Sequence, residues 1–201
     1  MRSPFDKSIH WSLSIAVITF VLAALFSVIS TAMLNGVSWA AGMLIVFGIV
    51  MIGIVFDIIG VAATAAIETP FHAMASEKVK GAKQSIYICR NADRVASFCN
   101  DVIGDISGIV SGTASAAVVI QLVYAFGRGD GSLFQTIISV VFTSVVAAVT
   151  VGGKAFGKSF AIRYSTYVIF QVGRLLYLVE EKLKIKMIPR APKKSRKNEL
   201  K

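Results

Sequence analysis

Four apolar runs, at residues 11–34, 37–67, 102–126 and 133–152, constrain this chain more than any other feature. Each can carry a helix across a bilayer core, which takes roughly 20 residues. In hydrocarbon, backbone N–H and C=O groups must be satisfied within the segment or within a closed barrel, so continuous apolar runs of this length predict helices. The expected fold is an all-α polytopic membrane protein with about four transmembrane helices plus amphipathic interfacial helices. A mean hydropathy of +0.71 with only 16% charged residues agrees with that class. A net charge of +10 in a soluble chain would point to nucleic acid. Here the positive residues flank the apolar runs, as in cytoplasmic loops, so membrane lipid is the expected partner and nucleic acid is not. The first run is too long for a signal-peptide core and lacks a clear small-residue cleavage site.

The connecting pieces divide the chain. Residues 1–10 form a short charged arm, and 11–186 the transmembrane domain. Asn35-Gly36 and the 127–131 segment GRGDG mark turns. Residues 68–98 bring Pro70, Gly81 and the basic residues Lys78, Lys80, Lys83, Arg90 and Arg94. They suggest two short amphipathic helices on the membrane surface. Residues 154–186 mix Lys158, Arg163 and Arg174 with aromatics. Arg174 in the middle favours a juxtamembrane helix over a fifth span. Residues 187–201 are a basic tail with the composition of disorder. Lysine and arginine crowd the 68–98 connector and the tail, which places both termini in the cytoplasm of a multi-pass plasma-membrane protein. Cys89 and Cys99 belong to no CxxC or His/Cys cluster and are expected to be plain thiols.

Polar residues inside the spans carry the chemistry. In FDIIGVAATAAIET, residues Asp57, Val61, Thr64 and Glu68 share a helical face. Asp57 lies about 16 Å along that helix from Glu68. In FCNDVIGDISGIVSGTAS, Asn100 is followed by a face of Asp101, Asp105, Gly108 and Gly112, while Ser107, Ser111 and Ser115 share a spacing of their own. Intramembrane carboxylates generally face a protein interior or a water-filled path. Asp57 with Asp101 and Asp105 therefore suggests an oxygen-lined cavity, and such oxygens suit hard cations such as Mg²⁺. Two plainer readings stand beside it: acids at the headgroup boundary that end a span, and a hydrogen-bonded network that holds the bundle together. Glycines 104, 108 and 112 allow close helix packing and suggest a homodimer. No HExxH, GxSxG or P-loop is present, and no enzyme activity is expected.

The order of these pieces resembles the transmembrane domain of the CNNM/CorB/CorC magnesium transporters. In that family a helix ends in a small-residue stretch before a Glu, as in SAAETA; here TAAIET places Glu68 at the match. The family's connector holds Gly-Ala with basic neighbours, like Gly81-Ala82-Lys83. Its middle helix opens on Gly-Asn, matched by Asn100, and its last ends in GEIxPKxxA, matched from Lys158 to Ala161. The resemblance covers about residues 37–186 and implies a bound or transported Mg²⁺, or Co²⁺. The implied ligands are Asp57, Thr64, Glu68, Asn100, Asp101 and Asp105. Departures are clear. The family's serine three before the Glu is Ala65, its second Asn is Gly104 or Asp105, and its GEIxPK Glu aligns with Lys154. The 11–34 span is additional, and the sequence holds no pair of nucleotide-binding regulatory domains, which leaves room for a separate regulatory subunit.

Two expectations follow. The first is divalent-cation transport or exchange through an oxygen-lined intramembrane site. The second is a non-transporting scaffold or partner-binding subunit whose intramembrane acids pair with Lys154 and Lys158. On the family alignment, the Lys154 ammonium lies near the cytoplasmic end of a cavity lined by Glu68, Asn100 and Asp101.

Overall fold

The computed structural model of the chain describes residues 4–125 and 133–183, and every element among them is helical. The 127–131 turn and the 187–201 tail lie wholly outside the described residues. In chain order the helices are α1 (Pro4–Leu34), α2 (Trp39–Ala65), α3 (Thr69–Ser76), α4 (Ala82–Arg90) and α5 (Ala92–Ala96). A π-helical segment, Ser97–Gly104, then leads into α6 (Asp105–Ala125), followed by α7 (Leu133–Arg163) and α8 (Ser165–Leu183). Four helical stretches are long and apolar enough to cross a membrane: Trp11–Leu34, Trp39–Ala65, Ala92–Ala125 and Gln135–Arg163. The chain is an all-α polytopic membrane protein.

Several boundaries differ from the hydropathy reading. The connector holds three short helices where two were expected, and the third runs through the π segment into the membrane without a break. Lys154 does not begin a juxtamembrane helix. It sits well inside α7, which continues to Arg163 because Gly152, Gly153 and Gly157 interrupt hydropathy without a proline to stop the helix.

α2 is the axis of the bundle. Its buried residues include Gly42, Val46, Val50, Gly53, Asp57 and Gly60, a stripe at spacings of three and four. Lipid tails are as apolar as leucine, so hydrophobicity does not pull membrane helices together. Close packing does, and small residues permit it. Thus Val46, Val50 and Ile54 of α2 pack with Ala114 and Val118 of α6 and Val146 of α7. α1 joins more loosely, with Ile15, Leu22 and Phe26 resting on Val102, Ile103, Ile106 and Val110. It turns into α2 at Gly36, whose φ of +78° suits glycine.

At the connector end a second core gathers Ala62, Ala63, Phe71, Ile88, Ala161 and Ile169. α4 crosses α8 there with little separation. Ser85 is fully buried and donates to the carbonyls of Gly81 and Ile169, at 3.1 and 3.2 Å. Gly81 has φ +94°, and a Cβ on it would fall 2.8 Å from the Cα of Arg174. Both its conformation and its neighbour therefore demand glycine.

Candidate functional site

The polar centre of the membrane bundle is the seam between α2 and the π segment, completed by α7. Asp57 is 4% exposed and lies eight residues, about 12 Å, from the end of α2. The Lys154 Nζ stands 4.0 Å from Asp57 Oδ1 and donates to the Gly104 carbonyl at 3.4 Å. Asp57 Oδ1 would also be 3.6 Å from a Cβ on Gly104. The ammonium thus rests between a carboxylate and a backbone carbonyl on two different elements. One turn further along α2, Asn100 packs so closely on Gly60 that a Cβ there would collide with its amide. One turn in the other direction, Ser107 packs on Gly53, where a Cβ would lie 2.8 Å from the Ser107 Cβ. The glycines of α2 are what let Asn100, Gly104 and Ser107 come this near.

Two oxygens at this seam, Asp57 Oδ2 and Asn100 Oδ1, are buried without a hydrogen-bond partner. A buried acceptor with no donor is costly, and more so where no bulk water reaches. Gln121 Oε1 is also unpartnered, but its amide donates to the Leu34 carbonyl at 3.2 Å near the other end of the bundle.

The remaining proposed ligands are not brought here. Thr64 is exposed and donates to the Val61 carbonyl of its own helix at 2.9 Å. Glu68 is not on α2 at all, because the helix ends at Ala65 and Ala66 turns extended, with ψ 138°. It precedes α3 and accepts from Arg90 at 2.6 Å and His72 at 2.8 Å. Burial alone would raise the Glu68 pKa, but the Arg90 and His72 hydrogen bonds outweigh it and hold the carboxyl below its ordinary 4.5. Lys154 therefore meets Asp57 and Gly104 rather than the Glu68–Asp101 end of the bundle. Asp101 and Asp105 are exposed, on the side of the helix away from α2. The side that faces inward carries Ser107, Ser111 and Ser115. Gly104 is buried in the seam, whereas a Cβ on Gly108 or Gly112 would meet nothing within 4 Å. Lys158 is exposed and joins no ion pair among the described residues.

Among the described residues no group of three or more His, Cys, Asp or Glu is placed to hold a metal. The two cysteines are free thiols, and burial, with the charge of Glu68, raises the Cys89 pKa. The sequence reading singled out Asp57, Asn100 and Lys154 but missed Gly53 and Gly60. Their signal was the recurrence of glycine at 42, 53 and 60, whole turns apart on one face.

Comparison with protein-family models, with curated proteins and with solved structures found no match to this chain. The likeness to the CNNM/CorB/CorC membrane domain rests on the short motifs quoted above.

Proposed function

We propose that this chain moves a divalent cation, Mg²⁺ first and Co²⁺ second, across the plasma membrane. The site proposed is the oxygen set of Asp57, Asn100 and the Gly104 carbonyl. One observation carries this reading: Asp57 Oδ2 and Asn100 Oδ1 are buried acceptors without a donor, one turn apart on the same seam. Carboxylate, amide and carbonyl oxygens are the ligands a hard cation takes, and Mg²⁺ keeps several waters while bound by one or two carboxylates. The donor set fits. The charge balance fits only once Lys154 moves, because an ammonium beside Asp57 repels a second cation. Lys154 then acts as a tethered substitute for the ion, present when the ion is absent. In this reading the cytoplasmic termini, the homodimer and a separate regulatory subunit are parts of the same proposal, and no catalytic chemistry is assigned.

The test is Mg²⁺ uptake into liposomes holding the purified protein, beside Asp57→Ala. Flux above empty liposomes that Asp57→Ala abolishes supports the reading; equal, background-level flux overturns it. Mg²⁺ should also raise the unfolding temperature of Lys154→Met more than that of the wild type, because the competing ammonium is gone.

The second reading, a non-transporting scaffold, is favoured by the Asp57–Lys154 pair itself, which neutralises the seam without any ion. It expects no flux and an unfolding temperature indifferent to Mg²⁺ in both proteins.

A further inference from the structure

At the connector end, the turn from α3 to α4 and the facing side of α8 enclose a cleft of about 290 Å³. Three of its lining residues are the exposed lysines 78, 80 and 83, and no acidic residue lines it among the described residues. The local backbone sets where these lysines start, and α8 engages one of them. Lys78 has φ +58°, a conformation that residues with a side chain rarely adopt, so the chain turns sharply at the mouth. The Lys80 ammonium lies 5.5 Å from the centre of the Tyr177 ring, a cation–π contact that ties it to α8. Lys83 stands in the first turn of α4, whose N-cap Gly81 supplies no side-chain cap, so the helix adds positive potential to that of the lysines. Gln84 is already engaged, its amide donating to Glu180 at 2.6 Å, and is not needed by a ligand.

The surroundings say which anion fits. α2 ends, the 92–125 span begins and the 135–163 span ends at this same end of the bundle, so the cleft lies where hydrocarbon meets water. Val79, between two of the lysines, and Leu178, next to Tyr177, are exposed. Basic groups beside exposed apolar ones match a molecule with a charged head and an acyl tail. We propose that this cleft binds the phosphate of an anionic phospholipid headgroup, with the lysines around the phosphate and the acyl chains along the apolar rim. The inference stands apart from the cation reading and uses none of its residues.

The experiment uses the full chain in detergent, titrated with phosphatidylglycerol, with phosphatidylcholine and, separately, with inorganic phosphate, and read by native mass spectrometry and thermal unfolding. Phosphatidylglycerol should bind and stabilise, and phosphatidylcholine should not. Lys78→Gln with Lys80→Gln and Lys83→Gln should weaken phosphatidylglycerol binding by about tenfold or more, given the strength of lysines near an anionic surface. A charge-matched control, Lys158→Gln with Arg163→Gln and Lys182→Gln, should bind as the wild type does. If the triple variant does not fold, Lys83→Gln alone should weaken binding by roughly threefold to fivefold. Equal binding by cleft variant and wild type overturns the proposal, as does an equal loss in the control. Protection by inorganic phosphate without protection by phosphatidylglycerol overturns the lipid assignment and makes free phosphate the occupant.

Discussion

The first and second spans are similarly apolar, yet none of the first span's most apolar stretch is buried against 33% of the second's. Hydropathy reports which segments leave water; it does not report which segments touch. α1 has no glycine between Pro4 and Leu34, and it meets the bundle through side chains such as Ile15, Leu22 and Phe26. α2 has Gly42, Gly53 and Gly60 on its inner face, and there Val118, Ser107 and Asn100 come within a Cβ's reach of its backbone. Where helices approach that closely, polar groups can be paired across the seam, and α2 holds the buried Asp57 there. In this molecule the crowded helix is the one with chemistry, and the uncrowded one is a lipid-facing partner.

The largest effect expected from this contrast comes from the charge that α7 contributes to the seam. Lys154→Met leaves Asp57 buried and unpaired, a kind of change that typically costs about 3–5 kcal/mol. Unfolding of the detergent-solubilised protein should show it as a large fall in midpoint. Asp57→Asn combined with Lys154→Met removes both charges and should recover much of the loss. A Lys154→Met protein as stable as the wild type would mean that the ammonium does not compensate Asp57, and the seam would lose its distinction from α1.

A smaller effect separates two glycines of the same helix. Gly60→Ala places a methyl against the Asn100 amide and should cost roughly 1–3 kcal/mol, as overpacking does. Gly48→Ala meets nothing within 4 Å and should be neutral or stabilising by up to about 1 kcal/mol, since alanine is the better helix former. Asn100→Ala should relieve part of the Gly60→Ala loss. Equal costs at the two positions would show that close approach is not what sets α2 apart.

These contrasts also show how far the sequence could be read. Four spans were legible because bilayer thickness imposes a length and hydrocarbon imposes a composition. Asp57 was legible because a lone carboxylate inside a span needs a reason, whereas Lys154 drew notice only because the family's Glu aligns with it. Spacing grouped Asp105 with Gly108 and Gly112 and set Ser107, Ser111 and Ser115 apart; in the structure Asp105 is exposed and the serines are buried, but Gly108 and Gly112 line one cleft against α7 together with Ser111 and Ser115. Which face turns inward was not legible. It depends on Gly53 receiving Ser107 and Gly60 receiving Asn100, a match between segments far apart in the chain that no spacing within either one displays. Glu68 was misplaced for a related reason. Extending α2's face past Ala65 assumed that the helix continued, whereas the chain turns extended at Ala66, four residues before Pro70.

The connector offers a third and weaker contrast, between a paired carboxylate that water reaches and one buried in the seam. Glu68 holds its proton less tightly in the folded state because Arg90 and His72 hydrogen-bond it. Its stabilising contribution is therefore present above the ordinary value of 4.5, and is lost as pH falls from there through the lower folded pKa. Arg90→Gln should flatten that part of the pH–stability profile and leave the profile near neutrality little changed, since Glu68 is a part-exposed pair. A profile identical in wild type and Arg90→Gln would mean that the α3–α4 tie does not form in solution.

The smallest effect belongs to α1, and its smallness is the test. Phe20 is 76% exposed, near the middle of the first span, and faces away from the bundle. Phe20→Ala removes a large apolar side chain, which in the core of a soluble protein would cost about 3–5 kcal/mol. Here the side chain leaves lipid for lipid, no cavity opens inside the protein, and no close contact is lost. The expected change is within about 0.5 kcal/mol, the range of substitutions away from packed features. Unfolding in detergent and the elution volume of the protein should both match the wild type. A loss of several kcal/mol, or a shift in elution volume, would show that a second protein surface covers this face of α1. The difference between the first two spans would then belong to the isolated subunit and not to the assembled protein.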